Sequence, residues 1–378
     1  MRVQTFSRAQ ILDEFTLRFQ SLAANDNRGF KQEFEDLEEV GQNLPSRAGT
    51  TEANQNKNRY PHIVPYDHCR VRLSVQNQNP YSDYINANYV PGGGTERDFI
   101  CTQGPLPHTV ADFWRMVWEQ NVQIIVMVTA LRHKDIILCE KYWPLEPGTV
   151  QHGRIQVTTV NRQQGPDYFI TTIKLRQRDF PTERIVTHYY YSSWPDLGVP
   201  KEPASLCAFT EHVRQHLETL PRVGPAVVHC SAGVGRSGTF VALLWLMQLC
   251  ARGIRPDVRA AVEDLRLHRM WMVQKLQQYV FVYQCLLHWL NARMVGSTWL
   301  QLQSPNLNPN HSQPHSSPPK ENKVRKKHRQ RRKSTSDQEQ FTTQHFLHPS
   351  NLLRKLLPSS TLPKKGTKTS PTTSVPFR

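Results

Sequence analysis

The chain has 378 residues, 38% of them hydrophobic, and a formal net charge of +16, which bounds it to one large domain or two small ones. The charge is unevenly placed: residues 1–290 carry 31 Lys and Arg against 28 Asp and Glu, and residues 291–378 carry 16 against 3. Basicity therefore concerns the tail's partners and says little about the chemistry of the body. Seven cysteines, at 69, 101, 139, 207, 230, 250 and 285, are widely spaced with no CxxC pair. That pattern argues against a disulfide framework or a zinc site and for a reducing compartment. The longest apolar run, 240–251, falls short of the ~20 residues a membrane span needs. No charged-then-apolar leader opens the chain. As written it reads as a soluble cytosolic polypeptide, or as the inner part of something longer.

In chain order, the first 41 residues read as helix, with Ile11, Phe15, Phe19 and Leu22 at helical spacing, then Phe34, Leu37 and Val40 before Gly41. A polar loop, NLPSRAGTTEANQNKN, follows. From 69 to 230 short β-rich runs dominate: VRLSV, DFICTQ, QIIVMVT, RIQVTTV, YFITTIKL, RIVTHYYY and PAVVHC. One helix, TVADFWRMVWEQ, interrupts them. Four more are expected at SLCAFTEHVRQHLETL, GTFVALLWLMQLC, DVRAAVEDLRLH and LQQYVFVYQCLLHWL. Strands with helices on both sides give an α/β (α+β) fold with a twisted mixed sheet. The organisation expected is an N-terminal helical segment (1–54) packing on a catalytic domain (55–292), then a tail (293–378). The tail is rich in Pro, Ser, Thr, Lys and Arg and too polar to fold. Its run KVRKKHRQRRK, residues 323–333, reads as a solvated charge run, an import or nucleic-acid patch, or an anionic-lipid contact.

The stretch PAVVHCSAGVGRSGTFVALL, residues 225–244, places a thiol, three glycines and an arginine between a strand and a helix. Gly233, Gly235 and Gly238 satisfy G-x-G-x-x-G. A dinucleotide site would then want an acid about 20 positions on, at the end of a strand. Asp257 is the candidate, but ARGIRPDV has no strand to end there. A nucleotide P-loop would need lysine where Thr239 stands. A third reading uses every residue. Cys230 and Arg236 flank Ser231, Ala232, Gly233, Val234 and Gly235, all small or aliphatic. A backbone of this kind curls into a nest of N–H groups at a helix N-terminus and binds a phosphate dianion. The Arg236 guanidinium closes the ring through two parallel hydrogen bonds. The same field stabilises a thiolate at Cys230, so the site suits phosphoryl transfer through a phosphocysteine. The reaction also needs an acid and an activated water. Asp196, in the Pro- and Gly-bearing loop WPDLGVP, is the candidate acid. Gln274 and Gln278, spaced to share one helical face, are candidates to hold the water.

With these pieces in place the chain resembles the tyrosine-specific protein phosphatases. KNRY (57–60), DYINANY (83–89), TQGP (102–105), DFWRMVWE (112–119), YWP (142–144), WPDLGVP (194–200) and VHCSAGVGRSGTF (228–240) occur in the family's order. GFKQEFEDLEEVG and QYVFVYQCLLHWL are similar to receptor-type members with a single cytoplasmic catalytic domain. The resemblance implies Cys230 as nucleophile, Arg236 as phosphate clamp and Asp196 as general acid and base on a closing loop. It implies that Ser237 assists departure of the thiolate, that Gln274 and Gln278 position water and that His229 tunes the thiol. It implies Glu119 as the partner that holds the arginine and Tyr60 as the wall of a slot deep enough to select phosphotyrosine over phosphoserine. Phosphotyrosine-containing proteins are the implied partners, and no metal or cofactor is implied. Four positions depart from the family pattern. Leu138 replaces a lysine that contacts the acid loop, and His62 replaces an acidic or amide residue that grips the peptide. Lys275 replaces a threonine, and Trp271 is bulky where some members carry glycine. The competing readings are a phosphotyrosine-binding pseudo-phosphatase and an adapter that works through its basic tail. Reversible oxidation of Cys230 is a further expectation.

Overall fold

The computed structural model describes residues 4–195, 198–221 and 223–302, with side chains to residue 293. Asp196, Leu197 and the tail from 303 on, with its basic run 323–333, lie outside the described residues.

Helix α1 (Arg8–Asp36) opens with a capping box in which Ser7 Oγ accepts from the Gln10 N–H and the Gln10 amide oxygen accepts from the Ser7 N–H. It is not the single helix over 1–41 that the periodicity suggests. Asn25, Asp26 and Asn27 take φ values of 52°, 59° and 61° and kink it, because Asn and Asp tolerate left-handed backbone better than most side chains. The kink lets both halves meet the C-terminal helix: Phe15 stacks on Tyr283 at 5.6 Å, and Phe30 meets the same ring edge-on at 5.0 Å. Short helices α2 (Arg47–Thr50) and α3 (Glu52–Gln55) occupy the stretch expected as loop.

The main sheet has nine strands: β1 (Arg70–Arg72), β2 (Tyr84–Val90), β3 (Phe99–Thr102), β4 (Ile124–Met127), β7 (Gly148–His152), β8 (Ile155–Gln164), β9 (Tyr168–Gln177), β10 (Glu183–Tyr191) and β11 (Ala226–His229). β5 (Arg132–His133) and β6 (Ile136–Ile137) form a separate small hairpin. The order across the sheet is β1-β2-β3-β11-β4-β10-β9-β8-β7. Its centre, β3, β11, β4 and β10, is parallel, and both flanks are antiparallel. The parallel strands therefore end together at one edge, where open α/β sheets place their ligands. Central strands β3, β4 and β11 are buried throughout, as parallel strands covered on both faces must be.

Helix α4 (Val110–Glu119) presses Phe113, Trp114 and Val117 onto one face of the sheet, in a core with Ile125, Val227 and Val157. On the other side α5 (Pro203–Thr219) and α6 (Gly235–Ala251) meet through Phe209 and Phe240, 5.6 Å apart. Helix α7 (Val258–His268) starts at Asp257, whose carboxylate accepts from the Ala260 N–H. That cap disposes of the dinucleotide reading, since Asp257 ends no strand. Helix α8 (Leu276–Leu302) runs past residue 293, where the tail was expected to begin. Glu33 of α1 is buried against α8 and accepts from the hydroxyls of Tyr279 (2.8 Å) and Tyr283 (2.9 Å). Among the described residues no helix is long and apolar enough to cross a membrane.

Candidate active site

Cys230 follows β11 directly, and α6 begins at Gly235. The intervening backbone is fixed from outside by its carbonyls. Ser231 C=O accepts from the Gly104 N–H at 2.9 Å, and Val234 C=O from the N–H groups of Gly238 (2.9 Å) and Val273 (3.2 Å). The carbonyls of Gly233 and Ala232 accept from the Arg269 guanidinium, at 2.9 and 3.1 Å. With four successive carbonyls held on the outside, the amides are left for the concave side, where the Gly233 N–H reaches Cys230 Sγ at 3.2 Å. Gly233 has φ +74°, and a Cβ there would lie 2.1 Å from the Thr102 carbonyl oxygen, so only glycine closes this loop against β3.

The charge around the sulfur follows from this arrangement. Burial alone would raise the thiol pKa of Cys230, but Arg236, the Ser237 hydroxyl and N–H, and the Gly233 N–H together bring it below the ordinary value. The other buried cysteines serve as the control, since burial pushes Cys101 and Cys250 up to about 12. Arg236 lies buried in the first turn of α6, so its charge adds to the positive end of the helix dipole.

Behind the cysteine, His229 is fully buried. Its Nδ1 donates to the Cys230 carbonyl at 3.1 Å, its Nε2 meets Tyr142 Oη at 2.7 Å, and the same hydroxyl meets His188 Nε2 at 2.6 Å. Burial, with the nearby Arg59 charge, holds the His229 pKa down at about 4 although its bond to Cys230 opposes the shift. His188 is lowered as well, chiefly by burial and then by His229.

Tyr60 Oη and Ser231 Oγ are 2.8 Å apart, and Ser231 Oγ donates to the Leu138 carbonyl at 2.8 Å. Tyr60 is thus seated on the cysteine loop with its ring partly exposed. Leu138 is buried and reaches the site through its carbonyl. Gln274 precedes α8 and does not share a helical face with Gln278, which corrects the expected arrangement. Gln278 is buried, and its Oε1 accepts from the N–H groups of Gln274 (3.0 Å) and Lys275 (3.3 Å), tying off the start of α8. Both glutamines nonetheless border the cysteine loop. A Cβ on Gly235 would stand 3.0 Å from the Gln278 amide and 3.3 Å from Gln274 Cβ. His62 and Lys275 are exposed, and Trp271, at φ +60°, is half-exposed. On the loop that carries Asp196, Trp194 is buried and its indole N–H donates to the Gly198 carbonyl at 3.0 Å.

Glu119 does not hold the arginine. It sits at the C-terminal end of α4, where its carboxylate accepts from the Ser74 N–H at 2.9 Å and from the Ser74 hydroxyl at 2.5 Å. Several residues that support the loop were given no role in the sequence reading, although Arg59 and Tyr142 lie in its KNRY and YWP motifs. Arg269, fully buried, also donates to Asn88 Oδ1 (2.9 Å) and Asn86 Oδ1 (2.8 Å) of β2. Arg59 donates to the carbonyls of Gly104 (2.9 Å) and Pro105 (2.7 Å), holding the neighbouring loop in place. Tyr142 and His188 complete the buried chain behind the cysteine.

Residues 54–288 match the family model described as protein-tyrosine phosphatase. The chain is 42% identical over 277 residues to receptor-type tyrosine-protein phosphatase V of Rattus norvegicus, covering 73% of this chain and 16% of that protein. It is 41% identical over 282 residues to receptor-type tyrosine-protein phosphatase eta of Mus musculus, covering 75% and 23%. With receptor-type tyrosine-protein phosphatase H of Homo sapiens the identity is 41% over 267 residues, covering 70% and 24%. The chain thus spans less than a quarter of the length of these relatives.

Proposed function

We propose, for a chain that belongs to the protein-tyrosine phosphatase family, that it hydrolyses phosphotyrosine in proteins through a phosphocysteine at Cys230. The observation that carries this reading is the thiol whose pKa is lowered despite full burial, beneath amides turned inward by Arg269 and Gly104. The thiolate attacks phosphorus as the bond to the phenolic oxygen breaks. Asp196, as general acid, gives that oxygen its proton. Water then attacks the phosphocysteine, Asp196 takes back a proton, and the P–S bonding pair returns to sulfur. Ser237 Oγ assists that return, and Gln274 and Gln278 border the path of the water. Through both steps Arg236 and the loop amides hold the phosphoryl oxygens. Tyr60, seated on Ser231, offers a ring to stack on the substrate phenol.

Receptor-type relatives support a cytosolic placement for such a domain, and the basic run 323–333 suits contact with an anionic partner. The test is turnover of a phosphotyrosyl peptide by the full chain. Asp196→Ala should lower kcat far more than it raises KM, and Cys230→Ser should bind the peptide without releasing phosphate. Peptide binding by the wild-type chain with no turnover would retire the hydrolase in favour of a phosphotyrosine-binding protein.

A further inference from the structure

A second cationic site lies on the antiparallel wing of the sheet, away from the cysteine loop. There a groove of about 440 Å3 is lined by Gln151, Gly153, Arg154, Gln156, Arg176 and Arg178. Strand register builds it. Gln151 is paired with Gln156 across β7 and β8, and Gln156 with Arg176 across β8 and β9, so the three side chains form one row on a single face. The Arg178 N–H donates to the Arg154 carbonyl at 3.0 Å, which fixes the third arginine beside the turn at Gly153.

Charge is not balanced there. Asp179 pairs with Arg154, and Glu183, opposite Arg176 on β10, pairs with Lys174 at 3.2 Å. Acids of the adjoining groove are also engaged, Asp112 with Arg115 (3.1 Å) and Glu119 with Ser74. Arg176 and Arg178 are exposed and make no ion pair among the described residues. Both line the same groove as Arg154, so positive charge accumulates there. Forked guanidinium groups beside neutral amides are the donor set that phosphate esters take. We propose that this groove binds a phosphate ester with more than one negative charge. From Tyr168, level with the catalytic edge, to Arg176 strand β9 runs about 27 Å at ~3.4 Å per residue, so one phosphoryl group cannot serve both sites. The ester is either the headgroup of a phosphorylated lipid or a soluble phosphorylated ligand.

The test uses the full chain carrying Arg236→Ala, which silences phosphate binding at the cysteine loop and makes the result independent of catalysis. Inositol hexakisphosphate is the soluble probe, read by hydrogen exchange. Slower exchange is expected in 150–156 and 174–180. Replacing Arg154, Arg176 and Arg178 together by Gln should weaken the affinity tenfold or more and flatten its salt dependence. If the triple variant melts early, Arg178→Glu alone should still weaken binding measurably. Vesicles of phosphatidylcholine with a minor fraction of phosphatidylinositol bisphosphate, compared with phosphatidylcholine alone, separate the sources. An arginine-dependent gain in vesicle binding assigns a lipid headgroup, and binding of the soluble probe without it assigns a free ligand. Protection confined to residues beyond 302, or equal affinity in the arginine variants, overturns the proposal.

Discussion

Acid should unfold this protein through the histidine pair behind Cys230. The hydrogen-bond geometry assigns the protons. His229 Nδ1–H donates to the Cys230 carbonyl, so Nε2 of the neutral ring accepts from Tyr142. Tyr142 Oη must then accept from His188 Nε2–H. A proton added to His229 lands on Nε2 and faces a hydroxyl that already receives a proton from the other side. Protonation therefore breaks the chain, in a site where both rings are fully buried. His229 has a folded pKa of about 4 against about 6.5 in an unfolded chain. Between those values the unfolded state binds the extra proton, so stability is intact above about pH 6.5 and falls as pH drops toward 4. The drop is ~1.4 kcal/mol per pH unit, in total about 3 kcal/mol for His229 alone. His188, also lowered, adds a second proton to the slope. Urea unfolding followed by tryptophan fluorescence in steps from pH 7.5 to 4.5 reads this directly. The variant His188→Gln keeps a donor for Tyr142 and removes one titrating group, so its slope should be shallower by up to ~1.4 kcal/mol per unit. Parallel curves for variant and wild type would refute the reasoning.

The thiolate argument is checked by the pH dependence of iodoacetate alkylation at Cys230. Half-ionisation should fall below that of an ordinary thiol and move upward in Ser237→Ala; an unmoved midpoint removes Ser237 from the set that holds the charge. Glu33→Gln should cost ~1–3 kcal/mol in urea unfolding, because the buried carboxylate holds Tyr279 and Tyr283. Turnover at permissive temperature should not change, and a cost near zero would show that α1 is not tied to α8 through this group. Glu119→Gln should leave kcat/KM unchanged, since its partner is Ser74; a tenfold fall, ~1.4 kcal/mol of transition-state stabilisation, would restore it to the arginine.

The cysteine loop was legible because its chemistry is local. Cys230, Gly233 and Arg236 lie within one turn of backbone, and a nest at a helix N-terminus needs no distant partner to be recognised. Central strands β4 and β11 were legible as short apolar runs. Strand β2 was not, because Asn86 and Asn88 are poor strand formers, and their place in it is explained only by Arg269, which they hold from 183 and 181 residues away. The glutamine pair misled for a related reason. Spacing of four implies a shared helical face, but α8 starts between Gln274 and Gln278, and Gln278 turns back to cap it. Glu119 was misplaced because motif order along the chain carries no information about which neighbour a side chain meets.

These misses share a physical origin that bears on how the site is maintained. A loop whose amides converge on a negative charge would, without ligand, spring open to pair its carbonyls and amides with each other or with water. It stays cupped because its carbonyls are claimed first, by Arg269 under the loop, by Gly104 beside it and by Val273 in front of Gln274. These donors come from two other segments, Arg269 and Val273 from the connection between α7 and α8 and Gly104 from the loop after β3, and Arg269 is anchored in turn on β2. The preorganisation on which a lowered thiol pKa depends is thus a property of the whole domain. Substitutions far from Cys230 in sequence, Arg269→Gln above all, should therefore raise the thiol pKa before they unfold the chain.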